Sequence, residues 1–177
     1  MTLLLPEQSV RSFDDVDLKA LRKKGIKVLF VDIDNTISAY GDTACSKRAA
    51  SFLIRVRSEG IEPVLLTNNT KKHADRVLRN RPDVKMLTFC LKPLPFALRR
   101  YLAYRKLKPH QAAALGDQLF TDMLGGKLAG VHTILCGKVS KEERKDTAIM
   151  RFMENIVYTR YERQGKIDRR DGYVRIL

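Results

Sequence analysis

The sequence predicts a doubly wound α/β domain, a mainly parallel sheet with helices on both faces. Three observations lead there. Residues 28–31 (VLFV) form an apolar run of strand-favouring residues, short enough to be one strand buried on both faces, as in a parallel sheet covered by helices. Comparable runs at 61–67 (IEPVLLT) and 111–117 (QAAALGD) are separated by segments of helical spacing, the alternation of βαβ units. Each run ends abruptly in polar residues, and the carboxyl ends of strands in such a sheet line one crevice where ligands bind.

Taken in order, residues 12–25 read as a first helix: Ser12 caps it, Asp14, Asp15 and Asp17 favour its positive end, and Lys23, Lys24 and Gly25 mark its stop. The strand at 28–31 follows, then a polar loop at 38–45. Residues 46–59 form a helix with Ala49, Ala50, Phe52, Leu53 and Val56 on its apolar face and Gly60 at its end. After the second strand, 71–80 reads as a helix, 84–89 as a strand, and 94–106 as a helix stopped by Lys108-Pro109. Beyond the third apolar run, 121–129 is a short helix whose Gly125-Gly126 pair permits close packing on the sheet, and 131–135 is the last strand. Residues 141–163 read as a long helix with Ile149, Met153, Ile156 and Val157 along one side, facing the core, a second copy, or an anionic membrane. The expected organisation is a core over 1–137, N-terminal helix included, and a helical extension over 138–177.

A chain of 177 residues is long enough for one core and short for two. With 44% hydrophobic and 31% charged residues it is neither disordered nor collagen-like. Residues 1–5 are apolar without a basic leader, and no run approaches the roughly 20 apolar residues that span a bilayer, so a cytoplasmic protein, peripheral at most, is expected. Cys45, Cys90 and Cys136 lack paired metal spacing and read as reduced thiols; His73, His110 and His132 share no motif. The net charge of +14 is concentrated: residues 71–108 hold 12 Lys and Arg against two Asp, and they stand beside the crevice, which implies a phosphate-rich or anionic partner.

Asp32 and Asp34 flank Ile33 at the first strand end. Side chains two apart on a strand point the same way, so the two carboxylates need a cation between them, and oxygen ligands suit Mg2+. Without further context they are equally readable as turn and cap residues. Four polar motifs, however, succeed one another along the chain: D-I-D-N-T at 32–36, T-N-N at 67–69, Lys92 before Pro93, and G-D-Q-L-F-T-D at 116–122. That ordered set resembles the haloacid dehalogenase (HAD) superfamily over roughly residues 26–136. The L-L-P at 4–6, the G-D-Q-L-F-T-D-M-L-G-G stretch and the short C-terminal extension resemble the YqeG-type subclass IIIA phosphatases, which are similar to mitochondrial phosphatidylglycerophosphate phosphatases.

The resemblance implies a Rossmann-like core and a Mg2+-dependent phosphomonoester hydrolase. Asp32 would be the nucleophile, forming an aspartyl-phosphate, and Asp34 the acid and base. Mg2+ would be held by Asp32, the backbone carbonyl of Asp34, and Asp117. Thr67, Asn68 and Lys92 would hold the phosphate, with Thr36 and Asp122 in support. The connections after the first two motifs leave no room for a large cap domain, and an open crevice suits a phosphorylated substrate presented on a surface, such as a lipid head group at an anionic membrane. Phosphatidylglycerophosphate, in phosphatidylglycerol synthesis, is the expected substrate. Phosphorylated protein, nucleic-acid ends, and a basic RNA- or ribosome-associated role stay open beside it.

Overall fold

A computed structural model of the chain describes residues 3–39, 42, 44–72, 75, 83–140 and 148–177. Six strands form one sheet: β1 Gln8–Val10, β2 Val28–Asp32, β3 Glu62–Leu66, β4 Lys85–Leu87, β5 Ala112–Gly116 and β6 His132–Cys136. Their order is β1-β6-β5-β2-β3-β4, and every neighbouring pair is parallel. Helices α1 Leu18–Lys23, α2 Lys47–Ser58, α3 Phe96–Tyr104, α4 Leu124–Ala129 and α5 Ala148–Arg163 accompany it. A two-stranded antiparallel hairpin, β7 Ile167–Asp168 and β8 Arg175–Ile176, ends the chain.

Strand β2 shows why this sequence makes a two-faced sheet. Leu29 and Val31 pack with Phe13, Leu21, Phe52 and Leu53 on one side, and Val28 and Phe30 pack with Leu98, Tyr101 and Leu102 on the other. Alternate side chains thus enter two cores, as strand geometry dictates. Burying each such side chain stabilises the fold by about 1.5–3 kcal/mol. Gly126 lets α4 lie against the sheet, since a Cβ there would stand 2.6 Å from Thr133 Cγ2 and 3.3 Å from Ala114 Cβ.

Four expectations change. Residues 12–25 are two elements, a 3-10 turn at Phe13–Asp15 and α1, because Val16 is extended and Asp17 accepts the Ala20 N–H to start a new helix. Strand β1 was not expected: only Val10 of its three residues is strongly apolar, so no alternation announces it. The helix expected from 121 begins earlier, as a wide π-type turn at Leu119–Met123 that runs into α4. The fourth concerns α5. Its buried face carries Glu154 and Tyr161, with Arg151 and Tyr158 half-buried beside them, whereas Ile149, Phe152, Met153 and Ile156 are exposed. Of the apolar side expected to pack, Val157 does so, with Tyr158 against Leu119, Met123 and Leu135. Most of the helix expected at 71–80, His73 within it, and residues 141–147 lie outside the described residues. Among the described residues no helix is long and apolar enough to cross a membrane.

Candidate active site

Strand register assembles the site. Asp32 closes β2 opposite Leu66, so Thr67 follows one residue beyond; Val31 lies opposite Leu115, so Gly116 and Asp117 stand beside Asp32. From β2 the chain runs to β3 and β4 on one side and returns to β5 on the other. The crevice between β2 and β5 is therefore the switch point at which open α/β sheets bind ligands.

Carboxylate oxygens of Asp32, Asp117 and Asp122 lie within 4.8 Å of one another, and all three residues are buried. Asp122 reaches this group because residue 116 is glycine: a Cβ there would sit 2.3 to 2.5 Å from the Asp122 side chain. The wide turn at Leu119–Met123 brings Asp122 back, and its Oδ2 accepts the Gln118 N–H at 3.2 Å. Lys92 enters from the loop after β4, buried, with Nζ donating to Asp32 and, at 2.8 Å, to Asp122. The Thr36 hydroxyl donates to Asp32 Oδ2 at 3.0 Å and lies 3.4 Å from Asp117 Oδ1.

These contacts set the electrostatics. Burial raises the Asp32 carboxyl well above the usual carboxylate range, against the pull of Lys92, and pushes Asp117 up to about 6, against Arg151. Burial works against the Lys92 charge, but Asp122 and Asp32 outweigh it and hold the ammonium above the ordinary lysine value. The carboxyls of Asp32, Asp117 and Asp122 outnumber the two cations that contact them, Lys92 and Arg151, in a place where charge is poorly solvated. Hard oxygen donors at this spacing fit Mg2+, so the donor set suits the implied ion.

Asp34 is near enough for its charge to act on Asp32, and it has donors of its own. Strand β2 ends at Asp32, two residues before Asp34. The Asp34 Oδ2 accepts from the Thr67 hydroxyl at 2.8 Å and Asn69 Nδ2 at 2.9 Å. Among the described residues the carboxylates whose oxygens lie within 4.8 Å of one another are those of Asp32, Asp117 and Asp122. Asn68 clasps the Lys92 backbone, accepting its N–H at 2.8 Å and donating to its carbonyl at 3.2 Å.

Three participants were not singled out from sequence. Asn69 was visible within T-N-N at 67–69. Arg151 and Glu154 had no signal, since they sit on α5, 34 and 35 positions from the residues they hold. Arg151 donates to the Asp117 carboxylate, to the Asp117 carbonyl at 3.1 Å and to Glu154 at 2.7 Å; Glu154 accepts the Leu119 N–H at 2.6 Å. A cleft of about 870 Å³ opens on this side and meets the acidic group at Asp117, beside Arg151.

Known proteins resemble this chain at several levels. The sequence profile of haloacid dehalogenase-like hydrolases matches residues 5–130. "Probable phosphatase YqeG" of Bacillus subtilis (strain 168) is 25% identical over 163 residues, covering 92% of this chain and 94% of that protein. Among solved structures, NagD from E. coli K-12 is 17% identical and superposes with a TM-score of 0.51, covering 71% of this chain and 92% of its own. A cobalt-bound deoxy-D-mannose-octulosonate 8-phosphate phosphatase from Haemophilus influenzae is 15% identical, with a TM-score of 0.50 over 81% of this chain and 91% of its own. The two structures share the sheet architecture described above.

Proposed function

Since the chain belongs to the haloacid dehalogenase-like hydrolase family and is a phosphatase of that family, we propose that it cleaves phosphate monoesters in two steps through Asp32. The observation that carries this reading is the buried group of Asp32, Asp117 and Asp122 around Lys92 at the switch point of the sheet. An Asp32 oxygen attacks phosphorus, the bond from phosphorus to the leaving oxygen breaks, and Asp34 gives that oxygen its proton. Water then attacks the aspartyl-phosphate and loses a proton to Asp34, and the bond from phosphorus to Asp32 breaks, releasing phosphate. Covalent catalysis divides one high barrier into two lower ones, and Asp34 serves in both directions.

Mg2+ would be held by the carboxylates of Asp32 and Asp117 and the backbone carbonyl of Asp34, and would supply positive charge to the phosphoryl oxygens. Lys92 keeps its ammonium beside Asp32 and adds fixed charge where the transferred group gains it. Thr67 and Asn69 hold the Asp34 carboxylate in place. The Thr67 hydroxyl can turn from Asp34 to a phosphate oxygen once substrate arrives. Thr36 steadies the Asp32 side chain, Asp122 orients Lys92, and Asn68 fixes the loop that carries Lys92.

As substrate we propose phosphatidylglycerophosphate, as for the mitochondrial phosphatases to which the YqeG-type family is similar, with the protein cytoplasmic and peripheral on the inner face of the cell membrane. In this reading residues 1–137 catalyse and 138–177 form an extension beside the site. Large apolar side chains bracket the residues that reach the acidic group: Phe89 and Leu91, 59% and 64% exposed, precede Lys92, and Ile149 and Phe152, 73% and 67% exposed, flank Arg151. Phe89 and Leu91 have φ of 50° and 52°, a left-handed backbone that costs about 1–2 kcal/mol per such residue. Apolar groups around a phosphoryl site, on a chain of net charge +14, suit an anionic lipid surface. Phosphate release measured on phosphatidylglycerophosphate vesicles, a nucleotide, a phosphopeptide and a 5′-phosphorylated RNA, with and without Mg2+, tests this. Mg2+-dependent release fastest from the vesicles is expected, and faster release from a soluble substrate would overturn the lipid assignment.

A further inference from the structure

We propose that Arg151 is a positioning residue for Asp117, and that through it helix α5 becomes a working part of the active site. The inference rests on reading Asp32 and Asp117 as carboxylate ligands of a divalent cation. Helix α5 lies beyond residues 5–130, the part of the chain that the family match covers.

The Arg151 guanidinium grips Asp117 twice, at the carboxylate and, at 3.1 Å, at the backbone carbonyl. Side chain and main chain of one ligand are thereby fixed together, which a planar fork does and a single donor cannot. Its second partner, Glu154, is 2% exposed and accepts the Leu119 N–H at 2.6 Å. Leu119 begins the wide turn that carries Asp122. The Arg151 and Glu154 pair therefore braces the chain at both ends of 117–119, between the two acidic residues of the loop. Glu154 also offsets the Arg151 charge, so the pair adds little net charge to the site and acts on it through geometry.

Fastening α5 to the core does not require this arrangement. Val157 and Tyr158 pack against Leu119, Met123 and Leu135, and Tyr161 is buried. A guanidinium withdrawn from water is costly, and apolar residues of similar volume hold helices at least as well. What the guanidinium adds is orientation of a carboxylate within 4.8 Å of its two acidic neighbours. Groups that orient metal-binding side chains change metal affinity when removed.

The test uses the full chain and Mn2+ as the calorimetric probe. Arg151→Met combined with Glu154→Gln keeps the pair's net charge and an acceptor for the Leu119 N–H, but removes the donors to Asp117. Mn2+ binding is expected to weaken about tenfold. The half-saturating Mg2+ for phosphate release should rise similarly, with kcat at saturating Mg2+ little changed. Parent-like Mn2+ affinity in the folded variant, even with a lowered Tm, would overturn the proposal, because Arg151 would then only fasten the helix. Should the double variant not fold, Arg151→Lys carries the test: its single ammonium cannot hold both Asp117 atoms, so weaker Mn2+ binding is expected and parent-like binding overturns the proposal. Asp117→Asn serves as the control. If it binds Mn2+ like the parent, the cation reading itself fails, and this proposal with it.

Discussion

Two cations from different elements, Lys92 and Arg151, meet the acidic group, and they do different work. Lys92 comes from the loop after β4 and bridges two members of the group, Asp32 and Asp122. Arg151 comes from α5 and bridges one member, Asp117, to Glu154, a counter-ion outside the group. Lys92 therefore changes the charge of the site, whereas Arg151 brings its own compensation and changes mainly its shape. A point charge suits the first task and a rigid planar fork the second. One carboxylate cluster can thus be neutralised from within the family-matched core and oriented from outside it.

Removing Lys92 should give the largest effect that separates the two sides. Lys92→Met leaves buried carboxylates without their counter-charge, which costs about 3–5 kcal/mol of stability when no cation is added. Phosphate release at saturating Mg2+ should fall about 10²- to 10³-fold, as for loss of one group aimed at the transferring charge. Thermal unfolding and kcat check both, and a variant that loses only metal affinity would make Lys92 a positioning residue like Arg151.

Gly116→Ala should come next. Its Cβ must displace the Asp122 side chain, at a cost of about 1–3 kcal/mol for overpacking, and Asp122 is one of the two acids Lys92 holds. Loss of phosphatase activity with parent-like Mn2+ binding is expected if Asp122 serves Lys92. Loss of Mn2+ binding instead would make Asp122 a ligand, and calorimetry distinguishes the two.

The pH dependence probes the Arg151 side. Folding raises Asp117 from 3.8 to about 6, through burial and despite Arg151. A raised acid binds its proton more tightly in the folded state, so this group's contribution to stability is fully present below 3.8 and is lost as pH rises through 6. Asp32 is shifted in the same direction. Mg2+ competes with those protons, so the gain in Tm on adding Mg2+ should be larger at pH 7 than at pH 5. An equal gain at both would contradict a carboxylate site.

The smallest effect is expected at Asn68, whose two bonds to the Lys92 backbone hold the loop and touch no acid. Asn68→Ala should lower stability by about 1 kcal/mol and raise KM more than it lowers kcat.

The same contrast explains how much of the molecule could be read in advance. Val28–Asp32 was legible because a strand buried on both faces needs a continuous apolar run, and Asp32, Lys92 and Asp117 because each directly follows such a run or sits in a loop between them. The hold on Asp34 was not legible, since it comes from the Thr67 and Asn69 donors of another loop. Arg151 was illegible for a stronger reason. Apolar periodicity puts Ile149, Met153, Ile156 and Val157 on one side of α5 without saying what that side faces, and it gives no sign that a buried acid 34 positions away draws Arg151 inward and leaves the first three outside. Strand β1 escaped because its three residues, Gln8, Ser9 and Val10, hold one strongly apolar side chain and so show no alternation.

The catalytic roles proposed for Asp34, Lys92 and Thr67 presuppose that Asp32 carries the phosphoryl group during turnover. Acid-quenching the enzyme during turnover with Mg2+ and substrate, then locating the added mass by peptide sequencing in a mass spectrometer, tests this directly. One phosphoryl group on Asp32 is expected, with neither adduct nor turnover in a folded Asp32→Asn variant. Steady turnover with the adduct on another residue, or undiminished turnover in Asp32→Asn, would contradict it.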